Sequence, residues 1–440
     1  MLYDISQIIP DLSDMPLLEW LIDRYKTEQP FAGTDALFYQ HQLGNQAPMT
    51  EAFFSLGLRP EKLTWIDIPY TSNESVRKHL GQKYDIPKEK FISCDDYKIL
   101  APYDSYQLER GIRFFHQLSQ RKSKKLLVLD DGAYFLEVAS CFAHMPDNVC
   151  IVEQTNRGFI KTAKNAAMNK IMSKLPLADV ARSVLKSKIE SPCIGSSVCA
   201  SIANHLGKRK DLATNPGDAF SLVLGYGNIG RSVIDFMIDE LGYSRNRLYV
   251  WDPLKTNEIV HDGFNLWNRE SDDLFDLVVG CSGTTSFDIG DYVFLNDRAI
   301  LVSASSGAVE FNRRNIVEWA NLNGSDDIEV TVNENSSAHP LHKDIIIKFP
   351  ARNVTMLNGG FPINFDGRIN CVASNHIQIT MALMVLSAIQ VVRAEKPGLI
   401  KPDYEVSREL VKQFYNQNSS ELVWFPDEQE VLEELKNAYH

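Results

Sequence analysis

The sequence predicts an α/β protein with two doubly wound parallel-sheet domains, a return helix and a C-terminal helical arm. Three observations predict it. Short apolar runs rich in β-branched residues end in polar or glycine-rich turns. Helical patterns separate these runs, and such alternation is how a parallel sheet reads in sequence. The series occurs twice, with a join near residues 190–200, in "ESPCIGSS".

In the first series the strand-like runs are "KLTWIDIPY" (62–70), "KLLVLDDG" (125–132) and "NVCIVEQT" (148–155), with "DSYQLERGIRFFHQLSQ" (104–120) as an intervening helix. The second series is "SLVLGYG" (221–227), "RLYVWD" (247–252), "DLVVGCSG" (276–283), "AILVSAS" (299–305) and "IEVTVNE" (328–334). Next, "NVTMLNGGFPINFDGRI" (353–369) reads as a loop. "CVASNHIQITMALMVLSAIQVV" (371–392) reads as a long buried helix that leaves one domain and packs back onto the other. The last fifty residues read as helices of mixed charge. The expected division is residues 1–192, 193–352, a return segment 353–392 on the first domain, and an extension 393–440.

A chain of 440 residues is long enough for two or three domains with sizeable cores. Its net charge of -12 argues against a broad nucleic-acid surface or an anionic membrane as partner, and suits a small-molecule substrate. The seven cysteines are scattered without a CxxC pair, which points to reduced thiols in the cytoplasm. "MLYDISQIIPDL" lacks the basic and apolar regions of a signal peptide. The longest apolar stretch, "MALMVLSAIQVV" (381–392), reads as too short to span a bilayer. "HPLHKD" (339–344) pairs two histidines, but no cysteine or carboxylate cluster joins them at ligand spacing, so no metal is expected.

The chemistry-bearing motif is "LVLGYGNIGRSVIDFMIDEL" (222–241): a strand, then Gly225, Gly227 and Gly230 in G-x-G-x-x-G spacing, then a helix opened by Asn228 and Ile229. Gly225 permits a tight turn, Gly227 lets backbone approach a pyrophosphate, and Gly230 lets helix and strand pack closely. The helix N-terminus faces the anion. The next strand ends in Asp252, whose carboxylate can accept both ribose hydroxyls and repels a 2′-phosphate. The second domain is therefore read as a Rossmann domain that binds NAD. A glycine turn in a Rossmann-like domain that binds nothing gives the same letters.

In chain order, "HQLGNQAPMTEAFFSLGL" (41–58), "LDDGAYFL" (129–136), "EQTNRG" (153–158), "ARSVLKSKIES" (181–191), "GYGNIGRS" (225–232), "MLNGG" (356–360) and "SNHIQITMALMV" (374–385) resemble the motifs of S-adenosylhomocysteine hydrolase (adenosylhomocysteinase) over about residues 35–390. The resemblance implies an NAD-dependent enzyme that oxidises a ribose 3′-hydroxyl, removes the acidified 4′ proton, expels a 5′ thiol, adds water and returns the hydride. It implies catalytic roles for Lys186 as the 3′ base with Glu190 as partner, and for Asp131 and His41 as a second pair. Residues four apart on a helical turn share a face, so Lys186 and Glu190 can meet. It implies further that Thr155, Asn156 and Ser305 approach the cofactor, that Asn358 holds its carboxamide, and that Gln154 binds substrate. A homodimer or homotetramer is implied by the family alone.

The departures lie at the substrate. Leu43 and Asn45 replace the family's threonine and glutamate, Gln154 replaces a glutamate, and Ser191 an asparagine. "SSGA" (305–308) and "NFDGRINC" (364–371) differ from the segments that close over adenine and homocysteine. Neither "KPDY" (401–404) nor "LKNAYH" (435–440) matches the family's C-terminal tail. The pattern is a retained redox core with an altered specificity shell. Three functions stay open: a divergent hydrolase of this type, an NAD-linked dehydrogenase of another small alcohol, and a non-catalytic NAD-binding protein.

Overall fold

The structure is a computed structural model that describes residues 5–94, 96–119, 125–142, 148–208, 215–270, 272–322, 329–337, 339–418 and 424–439. The chain forms two compact units. The first comprises Ile5–Asp95, Asp104–Glu190 and Arg368–His440; the second comprises Asp96–Tyr103 and Ser191–Gly367. Among the described residues the strands are Thr34–Gln40 (β1), Leu63–Asp67 (β2), Phe91–Ile92 (β3), Lys125–Asp130 (β4), Val149–Glu153 (β5), Pro176–Asp179 (β6), Ser221–Leu224 (β7), Leu248–Trp251 (β8), Asn265–Leu266 (β9), Phe275–Gly280 (β10), Leu295–Ser303 (β11), Glu329–Asn333 (β12), Asp344–Phe349 (β13), Arg352–Met356 (β14) and Gly398–Ile400 (β15).

In the first unit the sheet runs β3-β2-β1-β4-β5-β6-β15, and every pairing is parallel. All seven residues of β1 are buried, as expected where helices cover both faces. Phe31, Phe38, Phe53 and Trp65 pack ring against ring beside it, and each such fully buried side chain contributes about 1.5–3 kcal/mol. Helix Ser374–Arg393 is buried along almost its whole length and packs on β4, β5 and β6. By length and composition this helix could cross a membrane, which corrects the expectation that its apolar stretch is too short. Its apolar character is accounted for by packing, since 89% of its most apolar window lies inside the protein.

The second unit's sheet runs β12-β13-β14-β11-β10-β7-β8-β9. From β9 to β14 it is parallel in the same doubly wound order. β13 and β12 then add antiparallel, so this sheet is mixed and not wholly parallel. For β13 against β14 the cause is the chain between Phe349 and Arg352. Two residues can join only antiparallel neighbours.

Residues 352–356 form β14 and are not the loop the sequence suggested. Val354 and Met356 enter the core while Asn353 stays exposed. Residues 353–367 therefore belong to the second unit, and Ser374–Arg393 to the first. Residues 96–103 also join the second unit, where Arg313 bonds Tyr97 and Ala101.

Each doubly wound order reverses once, between β1 and β4 in the first unit and between β7 and β10 in the second. Ligands of such sheets bind beyond the carboxyl ends of the strands at that reversal. His41 follows β1 and Asp131 follows β4. Gly225 follows β7 and Cys281 follows β10.

Candidate functional site

In the first unit, His41 and Asp131 meet at the reversal point. His41 Nε2 lies 3.0 Å from Asp131 Oδ2, and both side chains are almost wholly buried. The imidazole is oriented from behind, with Nδ1 2.8 Å from Thr71 Oγ1, which itself donates to the Ile68 carbonyl. Thr71 therefore accepts from Nδ1–H, and Nε2 is the nitrogen turned to the Asp131 carboxylate.

Asp131 owes its aim to the turn that follows β4. Asp130 accepts from the backbone of Tyr134 and Phe135 at 3.0 Å each and so caps helix Tyr134–Ser140. Gly132 and Ala133 are both left-handed, at φ 110° and 55°. Their N–H groups converge on the Glu153 carboxylate, at 3.2 and 2.8 Å. Glu153 also accepts from the Thr155 backbone and hydroxyl. Gly158 leaves room for that carboxylate, since a Cβ there would lie 2.4 Å from Glu153 Cδ. Burial pushes the Asp130 and Glu153 carboxyls above the ordinary carboxylate range, with the Asp131 charge adding to it at Asp130 and the Asp130 charge adding to it at Glu153. Burial works in the same sense on Asp131, but His41, Gln154 and the Lys186 charge outweigh it and hold that carboxyl below its ordinary range.

Lys186 and Glu190 meet on a single π-helical turn, Lys186–Glu190, with Nζ to Oε2 at 3.2 Å. π-turns recur at functional sites. Thr380 Oγ1 of the long buried helix donates to the same carboxylate oxygen at 2.5 Å. The expected pairs His41–Asp131 and Lys186–Glu190 are thus both formed, and Lys186 is close enough to influence Asp131.

Other expected residues have partners of their own in the first unit or stand exposed there. Gln154 donates to Asp131 Oδ2. Thr155 Oγ1 donates to Glu153 and accepts from Gly158 N, capping helix Asn156–Lys164. Asn156 is exposed at that helix's first position. Asn45 is committed inside the unit: Nδ2 donates to Val372 O, and Ser374 Oγ donates to its Oδ1.

In the second unit, Gly225 takes φ 102°, and a Cβ there would sit 2.8 Å from the Cys281 and Ser282 backbone. A Cβ on Gly230 would sit 2.0 Å from Gly225 O. Gly227 differs: its φ is ordinary and a Cβ would meet no heavy atom of the chain within 4 Å. The fold requires the first and third glycines, whereas the second leaves a cradle that a ligand can use. Helix Asn228–Asp239 starts there with no side-chain cap, so its first N–H groups, including those at Asn228 and Ile229, point to the turn. Asp252 reaches the same turn, where Oδ2 accepts from Tyr226 N at 2.9 Å.

Beyond β10 and β11, buried Glu310 gathers the loop ends. It accepts from Gly283 N at 2.7 Å, from Ser282 Oγ at 2.9 Å, and from Ser286 and Ser305. Ser305 Oγ also accepts from Gly283 N at 3.0 Å. Asn358 follows β14 and is fully buried. Among the described residues no group of three or more His, Cys, Asp or Glu side chains could hold a metal ion. His339 and His342 stack ring on ring at 3.7 Å.

Thr71, Glu153 and Glu310 escape a reading of the sequence because each also has a partner distant in the chain, His41, Gly132 and Gly283 respectively. Glu153 leaves a faint signal as a carboxylate at a strand end beside a small-residue turn.

No family model matches the chain. It is 26% identical over 359 residues to uncharacterized proteins from two strains of Mycobacterium tuberculosis, CDC 1551 / Oshkosh and ATCC 25618 / H37Rv. The match takes in 80% of this chain but spans only 62% of those relatives' length. Among solved structures it is similar to the A chain of dipicolinate synthase from Bacillus subtilis, with TM-score 0.32, 9% identity, and 66% of this chain and 85% of that one covered. It is also similar to Rhodotorula graminis D-mandelate dehydrogenase, with TM-score 0.32, 12% identity, and coverage of 84% and 99%. A third similar structure is the NAD-complexed D-isomer specific 2-hydroxyacid dehydrogenase of Lactobacillus delbrueckii ssp. bulgaricus, with TM-score 0.31, 11% identity, and coverage of 83% and 99%. At such scores these likenesses carry no argument, and the functional reading rests on the geometry above.

Proposed function

We propose that the chain is an NAD-dependent enzyme that oxidises a substrate hydroxyl, in the manner of the adenosylhomocysteinase it resembles. The observation that carries this reading is the convergence on Asp131. One buried carboxylate holds an imidazole oriented by Thr71, accepts from Gln154, and feels the charge of a lysine paired with a glutamate.

The residues of the glycine turn fit NAD. Gly227 leaves backbone open to a pyrophosphate, the uncapped helix start offers N–H donors, and Asp252 offers a carboxylate for ribose hydroxyls. Bound there, NAD supplies a hydride acceptor. In its amine form Lys186 takes the hydroxyl proton, and Glu190 stabilises the ammonium that is restored. The His41–Asp131 pair exchanges the second proton, at the carbon next to the new carbonyl, and the carboxylate stabilises the imidazolium. Loss of a leaving group from the neighbouring carbon, addition of water, and return of the hydride to the carbonyl carbon with a proton to its oxygen would complete the hydrolase route. By the same resemblance the chain assembles as a homodimer or homotetramer.

A second reading, a dehydrogenase of another small alcohol, is favoured by Gln154 and Asn45. Both are committed to partners inside the protein. The residues that grip a nucleoside in the family are therefore altered or occupied here. Where a site is built to hydrogen-bond a substrate, a missing partner costs about 10⁴-fold in selectivity.

The test is absorbance of the reduced nicotinamide on mixing the NAD-loaded protein with S-adenosylhomocysteine and with simple secondary alcohols. Reduction that decays without net NADH supports the hydrolase route. Continuous NADH with added NAD supports the dehydrogenase. Equal rates in the wild type and in Lys186→Met contradict both.

A further inference from the structure

Arg313 opens helix Arg313–Leu322 in the second unit and is only 5% exposed. Its guanidinium donates to Gly359 O at 2.7 Å, to Tyr97 Oη at 2.8 Å and to Ala101 O at 3.3 Å, and lies 4.7 Å from the centre of the Phe361 ring. None of these partners is a carboxylate. A buried cation held by neutral oxygens and a ring face is an expensive way to stabilise a fold, so the position it fixes calls for a reason.

That position is the carbonyl next to Asn358. Asn358 and Gly359 are both left-handed, at φ 52° and 61°, and a non-glycine residue pays for this conformation. Both amide protons of Asn358 are committed, to Pro362 O at 2.8 Å and to Phe365 O at 3.0 Å. This fixes which way the carboxamide faces. Its Oδ1 is buried and has no hydrogen-bond partner among the described residues. The loop lies at the carboxyl end of the sheet, since Pro362 bridges Ser303 at the end of β11. Asn358 is therefore built to present one bare acceptor.

We propose that Arg313 is a positioning residue for cofactor recognition. By holding the Gly359 carbonyl it locks Asn358 in its left-handed form, so that Oδ1 selects a ligand carrying an amide N–H donor, such as a nicotinamide carboxamide. This deepens the NAD reading above and rests on it.

The experiment titrates the full chain with three probes: NAD, its 3-acetylpyridine analogue, which lacks the amide N–H, and ADP-ribose, which lacks the ring. The wild type should prefer NAD to the analogue by about tenfold, the value of one hydrogen bond to a buried acceptor. Arg313→Met should bring that ratio close to one and leave ADP-ribose affinity unchanged. Arg313→Lys should not restore it, because a single ammonium cannot reproduce the forked contacts. Tyr97→Phe keeps the guanidinium and removes one of its acceptors, and should lower the ratio part of the way. A folded Arg313→Met with the full wild-type ratio overturns the proposal. If that variant does not fold, an undiminished ratio in Tyr97→Phe overturns it. A wild type that binds neither NAD nor ADP-ribose overturns the NAD reading itself, a distinct result.

Discussion

Replacing each glycine of the turn by alanine separates what the fold needs from what a ligand needs. At Gly225 a Cβ would sit 2.8 Å from three backbone atoms, on a residue at φ 102°. A left-handed non-glycine costs about 1–2 kcal/mol, and overpacking against backbone that cannot yield adds about 1–3 kcal/mol. Gly225→Ala should therefore lose about 2–5 kcal/mol, and Gly230→Ala, whose Cβ would meet Gly225 O at 2.0 Å, should behave alike. At Gly227 the added methyl touches nothing in the chain. The loss there is that of alanine against glycine before a helix, about 0.5–1 kcal/mol, or a few degrees in Tm. A pyrophosphate packed on that backbone would be pushed away from the first N–H groups of the helix. Each charge-assisted hydrogen bond is worth about 1.5–3 kcal/mol, so affinity for NAD should fall by about 10-fold to 100-fold or more. Calorimetric titration with NAD, beside thermal melts in the same buffer, reads both quantities. A Gly227→Ala protein that melts like the wild type and binds NAD as tightly would refute the reasoning.

Other consequences can be read in the first unit. Gly158→Ala pushes a Cβ into the Glu153 carboxylate, breaking its bonds to the 132–133 turn, and should cost about 2–4 kcal/mol in a denaturant titration. Thr71→Val removes the partner of His41 Nδ1 without changing side-chain volume. Turnover should fall about tenfold or more with the melting temperature little changed, because the imidazole loses its fixed orientation. Asp131 has a folded pKa below its unfolded one, so its stabilisation is present above the ordinary carboxylate range and is lost as pH falls. Asp131→Asn should accordingly flatten the acid limb of a plot of urea midpoint against pH. Asp130 is shifted the other way: its contribution is full at acid pH and declines as pH rises past the ordinary carboxylate range. Asp130→Asn should remove part of that decline, and an unchanged slope would count against it.

Much of this was legible in the sequence, and the omissions have physical causes. The glycine turn could be read because strand, turn and helix are contiguous and each glycine has a local reason. β4, β5, β7 and β10 could be read because parallel strands buried on both faces are continuous apolar runs. β1, "TDALFYQ", could not, because Asp35 and Gln40 interrupt the run although both are buried. β14 was hidden by the asparagine and glycines that follow it, which serve the Asn358 turn and not a loop. Lys186–Glu190 was readable as an i, i+4 pair, but the turn is π-helical and not α-helical. The bond from Gln154 to Asp131 could not be read, because it is a tertiary contact between turns that follow different strands. The supports of the site, Thr71, Glu153 and Glu310, come from other parts of the chain, and no periodicity announces them.

The central claim is that a nicotinamide dinucleotide works on this scaffold with the Asp131-centred acid–base set. Its most direct test is to denature the purified protein, identify any released small molecule by mass spectrometry, and titrate NAD into protein that releases none. The account predicts NAD or NADH in the released fraction, or saturable NAD binding that Gly227→Ala weakens. A protein that releases no dinucleotide and binds none, or one that carries NADP beside an intact Asp252, would contradict it.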